Sequence, residues 1–99
     1  MSVFAQRLRE GRLEAGISQE QLGVMAGIEE ASASARMNQY EKGKHQPDFL
    51  TVERIAKVLN VPEAYFYAKD ENLAWVLIQY HRMGAARKKA LISYIKDLV

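Results

Sequence analysis

Ser34, Ala35, Arg36, Asn38 and Gln39 set a hydroxyl, a methyl, a guanidinium and two carboxamides close together, and Lys42 and Lys44 follow directly. These are the groups that read nucleic acid. A carboxamide can bond adenine at two edge atoms, a guanidinium can do so with guanine, and a methyl can touch the thymine methyl. Arg36 suits a base or a phosphate, and the two lysines suit phosphates. The same residue types also make an ordinary solvated helix face, so their meaning depends on the element that presents them. Lysines after a helix also favour its negative C-terminal end without any ligand.

Other chemistries find less support. His45 and His81 stand alone, with no second ligand at metal spacing. Nothing brings a serine, a histidine and an aspartate together, and Glu29-Glu30 is too ordinary a pair for acid–base catalysis. The chain has no cysteine, which excludes disulfides and thiolate metal sites and fits a reducing compartment. The expectation is a non-enzyme without cofactor or metal, located in the cytoplasm. Any small-molecule effector is left unspecified.

The elements that would carry these groups are helical, since no stretch alternates apolar and polar residues as a strand does. A first helix is predicted from about Val3 to Ala15, with Phe4 and Leu8 one turn apart and Gly16 as its stop. A second starts at Ser18, where Gln21 completes a capping box, and turns Leu22, Met25 and Ala26 inward before Gly27. Gln19 then occupies the first turn, where free N–H groups can meet a phosphate. A solvated glutamine in a capped turn is the plain alternative. Ser32 and Ser34 are both candidate N-caps of a third helix that ends at Glu41, with Met37 and Tyr40 facing the core. Gly43 and Pro47 end it. A fourth helix over about Phe49 to Leu59 buries Val52, Ile55, Ala56 and Leu59. Pro62 opens a short helix through Tyr65 and Phe66.

Ninety-nine residues with a formal net charge of +2 suit one small domain. The charge is uneven. Residues 1–68 carry eight Lys/Arg against nine Asp/Glu, whereas residues 69–99 carry six against three. Phosphate affinity in the first part must therefore come from local placement rather than from net charge. No apolar run is long enough for a bilayer, and Met1–Arg7 lacks the apolar centre of a secretion signal.

The ordered words Phe4…Arg7-Leu8…Arg12, Gly16-Ile17-Ser18-Gln19-Glu20-Gln21-Leu22, Ala26-Gly27, Tyr40-Glu41-Lys42-Gly43-Lys44…Pro47 and Ile55-Ala56-Lys57-Val58-Leu59-Asn60-Val61-Pro62 resemble the Cro/C1-type (XRE) helix-turn-helix family. The resemblance spans residues 3–67. It implies an all-α, five-helix lambda-repressor-like domain that binds operator DNA, usually as a dimer. It further implies a phosphate clamp at Gln19 and base reading at Gln39, Ala35 and Ser34. Phosphate contacts at Lys42 and Lys44 and an ion pair between Arg12 and Glu41 also follow from it. From Gly27 to Gly43 this chain is longer than the usual family spacing by about four residues, a change loops accept readily. The expectation is that Ile28–Ala35 lengthens the turn towards DNA, with Ile28 anchoring it.

Beyond Ala68-Lys69-Asp70-Glu71, Asp70 or Asn72 caps a helix with Leu73, Val76, Leu77, Tyr80 and Met83, and Gly84 breaks it. A last helix carries Ala90, Leu91, Tyr94, Ile95 and Leu98. Residues 69–99 are thus expected to form a helical hairpin extension. Leu73, Val76, Leu77, Tyr80, Leu91 and Ile95 are its candidate homodimer contacts, although the same residues could complete the monomer core. The functional expectation is a dimeric regulator on an inverted-repeat operator in double-stranded DNA. The alternatives are an antitoxin, a restriction–modification controller, or a protein–protein module that keeps the fold without operator binding.

Overall fold

A computed structural model describes residues 2–99. Six α-helices follow one another: α1 (Val3–Ala15), α2 (Gln19–Met25), α3 (Glu30–Glu41), α4 (Phe49–Leu59), α5 (Glu71–Arg82) and α6 (Ala85–Leu98). A 3-10 turn at Glu63–Tyr67 joins α4 to α5. No described residue lies in a strand.

Local chemistry sets most of the boundaries. Ser2 caps α1 by accepting from the Ala5 N–H, and Gly16 ends it in the left-handed region at φ 70°. Ser18 accepts from the Gln21 N–H while the Gln21 side chain accepts from the Ser18 N–H, closing a capping box. Asp48 and Asp70 cap α4 and α5 by accepting from the Thr51 and Leu73 N–H groups. Asp48 accepts from the side chain and the N–H of Thr51, and these bonds, with Arg36 and Arg54 nearby, hold its carboxyl below the usual range.

One core unites α1 to α5. Phe4, Leu8, Leu22, Met37, Ile55 and Phe66 form its centre, and Ala74 and Ile78 of α5 join it. Glycine permits the tightest crossing. A Cβ at Gly23 would lie 2.8 Å from the Ala33 Cβ, so α2 and α3 meet almost backbone to backbone.

Two arginines fasten α5 to this body. Arg7 is buried at 3 % exposure. It donates to the carbonyls of Ala68 and Lys69 and to the carboxylates of Glu10 and Glu71. Burial lowers its pKa, but hydrogen bonds and charge from Glu71 and Glu10 outweigh this, and the net shift is upward. At the other end of α5, Arg82 donates to the carbonyls of Leu59 and Asn60 and pairs with Glu14.

Three expectations change. Helix α3 begins at Glu30 without a side-chain cap, so Ser32 and Ser34 lie inside the helix. The additional residues therefore lengthen the helix and not the turn, although Ile28 is buried. Met25 is 60 % exposed, because Leu22, Gly23 and Ala26 take the inner face of the short α2. Helices α5 and α6 do not close into a hairpin: α5 packs on the body, and α6 projects from its end. Helix α6 does not run back along α5 and buries none of its residues. Its link to α5 includes the Lys88 ammonium, 5.2 Å from the centre of the Tyr80 ring.

Candidate nucleic-acid interface

The inward residues Ala33, Met37, Tyr40 and Glu41 fix the rotation of α3. At helical periodicity Ala31, Ala35, Gln39 and Lys42 then fall on the opposite side, and all four are exposed. Ser34 and Arg36 are exposed on the flanks, and Asn38 is half-buried.

Asn38 is not free. Its Oδ1 accepts from Gln19 Nε2 at 3.3 Å, and the same nitrogen reaches Glu41 Oε1 at 3.3 Å. Glu41 is 4 % exposed and holds α1 through Arg12. Arg12 Nε donates to Oε2 at 2.6 Å and Nη2 to Oε1 at 3.0 Å, while Nη1 donates to the Ile17 carbonyl at 3.0 Å. One carboxylate thus ties together α1, the start of α2 and the end of α3. Glu41 sits in a double guanidinium fork, the arrangement that makes a buried charge tolerable.

Around this network lies a groove lined by Arg9, Arg12, Ser18, Gln19, Asn38, Glu41 and Lys42. Arg9 was not singled out from the sequence. Its position one helical turn before Arg12 was the available signal. The groove combines cationic side chains with the N-terminal end of α2, a combination suited to a phosphate.

On the other flank Arg36, Gln39, Tyr40, His45 and Gln46 line a second depression. Arg36 Nη2 donates to the Tyr40 hydroxyl at 3.1 Å, which steadies the guanidinium beside Gln39. Lys44 is exposed in the turn after α3, and Gly43, at φ 72°, bends the chain there. The structure thus gathers Gln19, Ala35, Asn38, Gln39 and Lys42 along one side of the α2–α3 unit. Lys44 follows at its end.

A family model described as helix-turn-helix matches residues 8–66. The chain belongs to the helix-turn-helix family, in its Cro/C1 (XRE) type. That family consists of DNA-binding transcription regulators rather than enzymes. Helices α2 and α3 both lie within the matched residues. The match stops before α5, so the arm lies outside the family's shared part. The arm nonetheless has a counterpart in a solved structure described as the transcriptional regulator BswR. This chain is 42% identical to it, with a TM-score of 0.88 over 98% of this chain and 94% of that one. A search of curated proteins gives no match.

No helix among the described residues is long and apolar enough to cross a membrane. The exposed large apolar residues beyond residue 68 are Leu73, Trp75 and Val76 on α5, Ile92, Tyr94, Ile95 and Leu98 on α6, and Val99 after it. Tyr80 and Leu91 are half-buried. Leu77 leans on the core of its own chain.

Proposed function

We propose that this protein is a sequence-specific transcription regulator that binds, as a homodimer in the cytoplasm, to an inverted-repeat operator in double-stranded DNA. Residues 1–68 would form the reading head and 69–99 the assembly arm. The observation that carries the reading is the exposed line of Ala35, Gln39 and Lys42 on α3, set beside Gln19 at the start of α2. A helix so presented fits a major groove, with its side chains at base edges and the start of α2 at a phosphate.

In this reading Gln39 and Ala35 contact base edges, with Ser34 and Arg36 on either side. Gln19, Arg9, Lys42 and Lys44 meet phosphates. Asn38 acts through Gln19, holding its carboxamide in place. Transcription is altered because the occupied operator blocks or assists polymerase. The near-neutral head makes specificity depend on placed contacts more than on bulk charge.

The test is selection of bound duplexes from a random pool, followed by gel-shift titration. The proposal expects an inverted repeat whose half-sites are about 10 base pairs, or a multiple, apart. A pool that stays random after selection would reject operator reading and favour a protein–protein module.

A further inference from the structure

Leu73, Val76 and Tyr80 of α5 and Met83, the residue that ends it, follow one another at steps of three, four and three residues. This is the spacing of an apolar helix–helix seam. The seam faces away from the core, because Ala74 and Ile78 occupy the inward side. Leu73 and Val76 are 49% and 42% exposed, and α6 does not lie over them.

We propose that the seam is covered by α5 of a second copy, lying antiparallel. The proposal rests on the dimeric reading above and specifies how the dimer is made. Two observations select this occupant. The first is size. Setting Val76 opposite Tyr80 of the second copy also sets Leu73 opposite its Met83, so a single register pairs all four residues. Each contact then joins a shorter side chain to a longer one. A parallel pair would stack Tyr80 on Tyr80 and leave Val76 facing Val76 across a narrower contact.

The second is charge. An antiparallel pair brings the acidic start of α5, Asp70 and Glu71, to the end where α6 of the second copy begins with Arg87 and Lys89. Among the described residues neither Arg87 nor Lys89 has an ion-pair partner, and the Glu71 side chain is 75% exposed beside Arg7. Arg7 and Lys69 share that end with Glu10, Asp70 and Glu71, which leaves a surplus of one negative charge. A parallel pair would bring the two acidic ends together. Asn72 and Gln79 on the same outer side are uncharged and oppose neither arrangement.

The consequence reaches the DNA. Because Arg7 and Arg82 clamp α5 to the body at its two ends, pairing of two α5 helices fixes the two reading helices relative to each other. The seam therefore sets the half-site spacing that the dimer accepts.

The chain has no cysteine, which makes single cysteines informative. Val76→Cys and Tyr80→Cys are oxidised mildly, each alone and then mixed in equal amounts, alongside sedimentation of the unaltered protein. In the antiparallel register residue 76 faces residue 80, while like positions are offset by about 6 Å along the axis and disfavoured for a disulfide. The expected result is a cross-linked dimer in the mixture and little in either variant alone. Cross-linking of a single variant as efficient as that of the mixture would overturn the antiparallel register. A dimeric protein that gives no mixed cross-link would overturn the seam but leave the dimeric reading. A monomeric unaltered protein, bound to its selected duplex, would overturn both. As a second variant, Val76→Glu buries a charge in the seam, and at least a tenfold weaker dimer is expected; an unchanged dimer constant contradicts the proposal.

Discussion

Gln19 and Asn38 are joined by a 3.3 Å hydrogen bond between their carboxamides, one at the first residue of α2 and the other on α3. Adjacent residues of α3 are thereby given different work. The Asn38 side-chain carbonyl accepts from Gln19, whereas the Gln39 side chain has no bond among the described hydrogen bonds and the residue is exposed.

The first expected outcome follows from this difference. Gln39→Ala should weaken binding to the selected operator by about 1–3 kcal/mol and relax the preference at one base pair. Asn38→Ala should weaken operator and scrambled duplex by similar factors, because it releases a phosphate contact. Gel-shift titration on both duplexes measures the two ratios. Equal losses on both duplexes for Gln39→Ala would contradict base reading there.

The Arg12–Glu41 pair supplies the second. Removing one member strands the other in a poorly hydrated place, so either alanine variant should lose about 3–5 kcal/mol of stability. The double variant should lose less than the sum of the two, with a coupling of about 0.5–3 kcal/mol. Denaturant unfolding of the four proteins gives the cycle. Strictly additive losses would deny the coupling.

Glycine spacing gives the third. Gly23→Ala forces a Cβ to within 2.8 Å of Ala33, on a backbone that cannot yield, and should cost about 1–3 kcal/mol despite better helix propensity. Gly11→Ala meets the movable tip of Leu59 at 3.2 Å. Its gain in helix propensity, about 1 kcal/mol, should offset most of that contact. The two melting temperatures should therefore fall by clearly different amounts.

Alkaline pH gives the fourth. Burial raises the Tyr65 hydroxyl to about 12 from 10.0, and that hydroxyl donates to the Arg7 carbonyl. A raised folded pKa means that the neutral form stabilises the fold. Its contribution is complete below pH 10 and is lost as pH rises through about 12. Unfolding followed against pH should therefore show stability falling across that window, and Tyr65→Phe should flatten the fall. A profile that is the same in both proteins would remove Tyr65 as the cause.

What could be read from the chain was mostly local. Ser18 with Gln21, Gly16, Gly43 and Asp70 mark helix ends because a cap is made within a few residues. The start of α3 escaped this logic. Ser32 and Ser34 have the chemistry of caps, but the close seat of Ala33 on Gly23 keeps that segment helical. Met25 misled for a related reason, since a seven-residue helix has room for only one inner face and Gly23 occupies part of it. In the sequence Arg7 stands out only as part of a family word. Its role depends on carbonyls more than sixty residues away, at Ala68 and Lys69. The groups on α3 were visible as chemistry, but the engagement of Asn38 by Gln19 required the folded geometry.

Placed contacts to base edges and phosphates are the core of this account, and salt dependence tests them most directly. Affinity for the selected operator and for a scrambled duplex of equal length is measured between about 50 and 200 mM salt, the range over which phosphate contacts change affinity strongly. The account predicts that both affinities fall with salt along straight log–log lines, while the operator stays favoured by roughly a thousandfold or more at the upper end. Affinities that show no salt slope, or that are equal for the two duplexes at every salt concentration, would contradict it.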